Sequence, residues 1–278
     1  MRVMMNKIYK ILLLCAFALP ASCVRNEVAS VSLPLEVSAE ISGARTRAED
    51  DPHASDYDKK RFVTDDVIKI AKSGTPTTSV LYKRTAAGAW TPDDLATPMT
   101  TTGGDTFTAT FPSAFAGIKA DQSTPTGFWE SNRLTATATA TGNRVSFRFA
   151  PAACKITVII IYEADNTAQG ATVAGKGLCT GDQSQDETIT LLNTNSSLRR
   201  HTYTGIFSPQ AATAYTITVS ASGMTGGSES YQEKGGDFTL AAGHEYQYTF
   251  TLTNELVLNN VTVKDFTDQP EEDAGNAT

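Results

Sequence analysis

The segment from Val31 to Ile41 constrains the fold more than any other. Val31, Leu33, Leu35, Val37, Ala39 and Ile41 alternate strictly with Ser32, Pro34, Glu36, Ser38 and Glu40. A period of two sends alternate side chains to opposite faces of an extended chain and does not match the 3.6-residue repeat of a helix. The segment reads as a half-buried strand, apolar on one face and polar on the other. A polar run follows, Gly43-Ala44-Arg45-Thr46-Arg47-Ala48-Glu49-Asp50-Asp51-Pro52. Its small residues and paired arginines predict an exposed loop open to proteolysis.

Further along, Val67–Ile70, Ser79–Tyr82, Thr106–Phe111, Leu134–Thr139 and Val145–Phe149 are short strand-like runs between Gly, Pro, Asp and Asn turns. The Thr-Ala alternation over 135–141 is only weakly apolar, which predicts an edge position. The composition changes after Phe149-Ala150-Pro151. Lys155–Tyr162 (KITVIIIY) is the most β-branched run of the chain and predicts the central strand of a second core. Strands are also predicted at Thr188–Leu192, His201–Phe207, Tyr215–Val219 and Phe238–Leu240. Tyr246, Tyr248, Phe250 and Leu252 alternate on one face. Leu256–Phe266 reads as a last strand pair or as one bulged strand, because the apolar register slips between Leu258 and Val261.

A chain of 278 residues suits two domains, and 40% apolar with 19% charged residues lets each bury a core. The class is all-β, two Greek-key β-sandwiches in tandem divided near residue 150. The expected layout is a signal peptide over 1–22, a propeptide over 23–47, sandwiches over 48–150 and 151–266, and an acidic tail over 267–278.

The amino terminus predicts export. Arg2, Lys7 and Lys10 precede the apolar run Ile11–Leu19, and Ala21-Ser22-Cys23 closes it with small residues. Nine apolar residues fall far short of the ~20 that span a bilayer, so the run reads as a cleaved signal peptide. Cys23 then occupies the position of a lipidated cysteine, although Pro20 stands where a lipobox prefers Leu. The chain holds 23 Lys and Arg against 30 Asp and Glu; residues 1–47 contain six and three of these, leaving 17 and 27 and a net charge of −10. So acidic a body offers nucleic acid no electrostatic footprint. Cys15 lies in the signal peptide, which leaves Cys154 and Cys179 either as a disulfide, permitted in an exported compartment, or as two buried thiols.

Catalytic and metal chemistry find little support. His53, His201 and His244 lack a partner motif, and no G-x-S-x-G, H-E-x-x-H or P-loop is present. Gly223–Ser228 reads as a hairpin loop. Asp65-Asp66 and Asp93-Asp94 suit turns and caps better than calcium. Trp90 and Trp129 are the aromatic candidates for stacking on a sugar. No cofactor or metal is expected.

The strand over Leu33–Ile41 carries a mechanism through its position. It sits between the lipid candidate Cys23 and the arginine loop, so a cut after Arg47 or Arg45 frees it covalently from the body. Its loss would open an apolar groove with unpaired backbone groups, which invites a strand from another chain. Repeated head to tail, that contact builds a filament. The competing reading is that Leu33–Ile41 is simply the first strand of a sandwich and stays in place.

Four landmarks in order resemble the fimbrillin family, the type V pilins of Bacteroides-like anaerobes. They are the signal ending at Cys23, the strand and linker over Leu35–Asp50, FVTDDVIKI at Phe62–Ile70, and LAAGHEYQYTFTL (Leu240–Leu252) running into VTVKDF (Val261–Phe266). RFAPAACKITVII (Arg148–Ile160) lies where the family's second domain begins. The resemblance implies two transthyretin-like sandwiches, lipidation at Cys23, cleavage by an Arg-specific protease after Arg47 or Arg45, and polymerisation by strand exchange. Leu33, Leu35, Val37, Ala39 and Ile41 would form the removable strand. Leu256, Leu258, Val261, Val263 and Phe266 would mark the region from which a donor strand is drawn. Phe266 stands where the family usually has Trp. The implied setting is a cell-surface fimbrium at the outer membrane, with other fimbrial subunits as partners and a host or bacterial surface ligand. The rival function is a carbohydrate-binding surface lipoprotein, resting on Trp90 and Trp129.

Overall fold

The computed structural model describes residues 31–42, 61–74, 78–93, 96–211, 214–222, 226–234, 239–252 and 256–265. The described residues from Ser32 onward cluster as one compact unit. Two hydrophobic cores lie within it, one drawn from residues before Pro151 and one from residues after it.

The first core is wrapped by β1 (Leu33–Pro34), β2 (Glu36–Ile41), β3 (Val67–Lys72), β4 (Ser79–Arg84), β5 (Trp90–Pro92), β6 (Thr100–Thr101), β7 (Thr106–Phe111), a short helix α1 (Pro125–Ser131), β8 (Leu134–Thr139) and β9 (Arg144–Pro151). Seven strands make one sheet in the order β2-β9-β8-β7-β3-β4-β5, and β1 pairs separately with β6. The edge strands β2 and β5 come into contact, so the sheet curls around its core. Alternation explains the curl's filling: in β9 Val145, Phe147 and Phe149 point inward and are buried, while Arg144, Ser146 and Arg148 point out. Phe62 packs edge-to-face on Trp90, Phe111 and Phe149, with ring centroids 5.1–5.4 Å apart.

The expected edge position of the Thr-Ala strand is corrected here. β8 lies inside the sheet, between β7 and β9. Its small side chains suit that place because a large one stands opposite: Ala138 is the register partner of Phe107, which is fully buried. Helix α1 has no counterpart among the predicted elements. Thr124 caps it, its hydroxyl accepting the Gly127 N–H at 3.2 Å, and Pro125 follows at the first helical position.

The second core sits between two sheets built from β10 (Cys154–Tyr162), β11 (Ala168–Lys176), β12 (Asp186–Thr190), β13 (Leu192–Ser197), β14 (Arg200–Phe207), β15 (Tyr215–Ala221), β16 (Ser228–Glu233), β17 (His244–Leu252) and β18 (Leu256–Asp265). One sheet runs β13-β14-β10-β17-β18 and the other β12-β11-β15-β16. β10 is central, antiparallel to β14 and parallel to β17, with every residue but Ile161 buried. The bulge predicted between Leu258 and Val261 is present, since Phe250 pairs with Leu258 while Thr249 pairs with Asn260. β11 went unpredicted because its sequence is small and weakly apolar. Gly175 is required there, as a Cβ would come within 2.9 Å of Tyr215 Cβ. Of the strand expected over Phe238–Leu240, Leu240 makes an isolated bridge with Gln210 and Phe238 lies outside the described residues.

Only Ala152 and Ala153 separate β9 from β10. The segment before α1 also reaches the second sheets. The buried amide of Gln122 donates to Ile206 O at 2.8 Å and accepts the Ile206 N–H at 2.7 Å, pairing as a backbone would. A small apolar cluster of Phe128, Ala153, Leu192 and Ile206 completes this junction.

Candidate functional site

Pro34 decides how the amino-terminal strand is held. Lacking an N–H, it cannot continue a ladder. The chain therefore changes partner: Leu33 and Pro34 pair with Thr101 and Thr100, Leu35 N–H donates to Met99 O at 2.7 Å, and Glu36 N–H donates to Asn143 O at 2.8 Å. From Glu36 to Ile41 the strand then runs parallel to β9, at the edge of the sheet. The predicted continuous strand is thus two strands. Of its inward set, Leu35 and Ile41 are buried, Val37 and Ala39 are half-buried, and Leu33 is 45% exposed.

The register makes two matched ladders. On the inner face Val37 faces Val145, Ala39 faces Phe147 and Ile41 faces Phe149. On the outer face Glu36 faces Arg144, Ser38 faces Ser146 and Glu40 faces Arg148. Every outer pair is made: Arg144 Nε lies 2.8 Å from Glu36 Oε2, Ser38 Oγ donates to Ser146 Oγ at 2.8 Å, and Arg148 Nε lies 2.7 Å from Glu40 Oε1. Asn143 Nδ2 adds bonds to Glu36 Oε1 and Pro34 O. The Arg144 hydrogen bond, with help from Asn143, holds the Glu36 carboxyl below the usual carboxylate range, and Glu36 raises Arg144 in turn. These groups are exposed, so they add little to stability. Burial of Leu35 and Ile41, at about 2 kcal/mol each, is the larger hold on the strand.

Sequence reasoning missed Arg144, Ser146 and Arg148. The signal was present as Arg-x-Ser-x-Arg in RVSFRF, the charge complement of Glu-x-Ser-x-Glu in EVSAE.

The carboxy-terminal candidates lie at another edge. β18 pairs antiparallel with β17, with Leu256, Leu258 and Val261 packed on the second core and Val263 51% exposed. Lys264 ties it inward, its Nζ lying 3.5 Å from the buried carboxylate of Glu245 and 3.2 Å from Gln247 Oε1. Cys23, Arg45, Arg47, His53, Asp94 and Phe266 lie outside the described residues.

Other candidates take structural positions. The disulfide reading is not met: Cys154 and Cys179 are both free thiols. Cys154 donates to Phe207 O at 3.4 Å, and burial pushes its thiol up to about 12; Cys179, half-buried, is pushed up to about 11. His201 is buried, its Nδ1 2.8 Å from Tyr162 Oη, and His244 Nδ1 contacts Ala242 O at 3.0 Å. Asp66 accepts the Val63 N–H at 2.6 Å and Asp65 pairs with Lys83 at 2.9 Å. Among the described residues no three His, Cys, Asp or Glu gather as a metal site.

The two tryptophans do not form an exposed platform. Trp90 is buried against Phe62, and Trp129 packs edge-to-face on Phe111 at 5.5 Å. Trp129 does border a cleft of about 360 Å³ beside Phe115, but three of its charges are already paired, Asp65 with Lys83 and Lys119 with Glu130.

No protein-family model and no curated protein matches the sequence. Solved structures do match. A protein from Bacteroides uniformis, provisionally assigned to cell adhesion, has 18% identity and a TM-score of 0.58, covering 84% of this chain and 99% of its own. One from Bacteroides ovatus with the same provisional assignment has 15% identity and a TM-score of 0.56, covering 84% and 98%. The tip fimbrial protein Mfa3 of Porphyromonas gingivalis, truncated at its carboxy terminus, has 10% identity and a TM-score of 0.47, covering 84% and 100%. The all-β, multi-sheet sandwich architecture expected of the chain is the one observed, and it is shared with the two Bacteroides proteins over nearly their whole length.

Proposed function

We propose that this chain is a structural subunit of a surface fimbria, related to the fimbrillins. In this reading it is exported as a lipoprotein through Cys23, cut after Arg47 or Arg45, and polymerised by strand exchange in support of adhesion. The observation that carries the reading is the placement of β2. The strand just before the two arginines is an edge strand, paired on one side only and seated over the first core. A cut after either arginine leaves it held by non-covalent contacts alone, and its departure would bare the inner edge of β9. The provisional adhesion assignment of the two Bacteroides proteins that share the fold agrees with a surface role. The sequence resemblance described above supplies the fimbrial assignment. The reading divides the body into two sandwiches near residue 150 and takes the donor segment from the region of β18.

The test is treatment of the full-length protein with an Arg-specific protease, followed by amino-terminal sequencing and sizing. A new terminus at Ala48 or Thr46 together with a ladder of oligomers is expected. A chain that is cut there and stays monomeric with β2 retained would refute polymerisation by strand exchange.

A further inference from the structure

We infer that the seat under β2 selects an incoming strand carrying two carboxylates four residues apart on its solvent face, and that this strand comes from a different subunit rather than a second copy of this chain. The inference rests on the strand-exchange reading and names the partner within it.

The seat has two parts of different chemistry. The apolar part, lined by Val145, Phe147 and Phe149, accepts any strand with aliphatic residues at alternate positions. It sets register only to within two residues, because a slip of two keeps the same face inward. The outer part breaks that degeneracy. Arg144 and Arg148 stand four residues apart with Ser146 between them, and each meets its own partner on β2. A slip of two places a guanidinium opposite the serine position and leaves the second one unmatched. Cross-strand charge pairs favour the right partner and like charges disfavour the wrong one. Weak pairs at an exposed edge can therefore act on choice and register while adding little stability.

The chain's own carboxy-terminal region does not meet this pattern. Between Leu256 and Thr278 the one pair of carboxylates four apart is Asp268 and Glu272. Their flanking positions are Thr267, Gln269, Glu271 and Asp273, where the seat needs apolar side chains. If Val261 and Val263 face inward instead, Thr262 and Lys264 face outward, and a lysine lies beside arginines. The seat thus disfavours the strand that a second copy offers.

The experiment uses the full-length protein after Arg-specific cleavage, with fluorescent peptides as probes. The peptides are residues 31–43, the same peptide with E36K and E40K, and residues 256–268. Binding of the first, about tenfold weaker binding of the charge-reversed form, and weak binding of 256–268 are expected. The gap between the first two should narrow at high salt. Arg144→Glu with Arg148→Glu should invert the preference; these side chains are more than 70% exposed, so the fold should survive the change. Equal binding of native and reversed peptides would overturn the charge selection while leaving strand exchange standing. Binding of 256–268 as tight as the native peptide would overturn the assignment to a different subunit. Failure of every peptide to enter, with β2 retained after the cut, would refute the exchange reading itself.

Discussion

Lys155 and Glu245 face each other across the parallel pair β10 and β17, Nζ and Oε2 3.4 Å apart, each side chain only 5% exposed. Glu245 also accepts the Thr157 hydroxyl at 2.6 Å and lies 3.5 Å from Lys264 on β18. Removing one member of a buried pair strands the other's charge. Glu245→Ala is therefore expected to cost about 3–5 kcal/mol, read from the urea midpoint at constant slope. The double change Lys155→Met with Glu245→Met should recover much of that loss. A single variant as stable as the parent would show that the pair is not buried in solution.

His201 gives stability a dependence on pH. Burial lowers its pKa below the ordinary value, outweighing the contact with Asn166 O. Between the folded and unfolded values the unfolded chain binds more protons, so stability rises with pH through that window. The contribution is complete above the unfolded value of about 6.5 and is lost as pH falls toward the lower folded value. His201→Asn should flatten this part of a plot of unfolding free energy against pH. An unchanged slope between pH 7 and 5 would assign the dependence to other groups.

Gly127 separates two opposing expectations. Helix propensity alone favours alanine in α1 by about 1 kcal/mol. A Cβ at this position would meet Asp121 O, a backbone atom, at 2.5 Å. The clash should win, and Gly127→Ala should destabilise by about 1–3 kcal/mol, seen as a lowered Tm. A raised Tm would mean that the segment before α1 yields easily.

The two cysteines of the body predict a labelling pattern. Chain cleaved after Arg47 and never reduced should yield two thiols to a thiol reagent in denaturant. Folded, it should react slowly at neutral pH, because both thiols are pushed to about 11 or 12 and little thiolate forms. No thiol in denaturant would establish a disulfide instead.

Ile41 tests the seating of β2. It is 5% exposed in the first core, so Ile41→Asp places a carboxylate among apolar side chains. The variant should lose β2 after Arg-specific cleavage several times faster than the parent, followed by release of the amino-terminal peptide. Equal release rates would mean that the ladder alone retains the strand.

The division between what could be read and what could not follows from the range of the forces involved. Alternation and continuous apolar runs are local, so β2, β10 and β17 were legible, and so was the bulge of β18, where a pattern slips by one residue. β11 was not, because Ala171 and Val173 become core only when β15 lies beside them and Gly175 lets Tyr215 approach. β8 looked like an edge because its own alanines are small; its central place depends on Phe107, across the strand pair. The site shows the same division. The sequence by itself determined that Glu36, Ser38 and Glu40 share one polar face and that two arginines follow soon after them in the chain. Only the tertiary structure decided that this face meets Arg144, Ser146 and Arg148, because pairing strands 108 residues apart depends on how the whole sheet closes over its core.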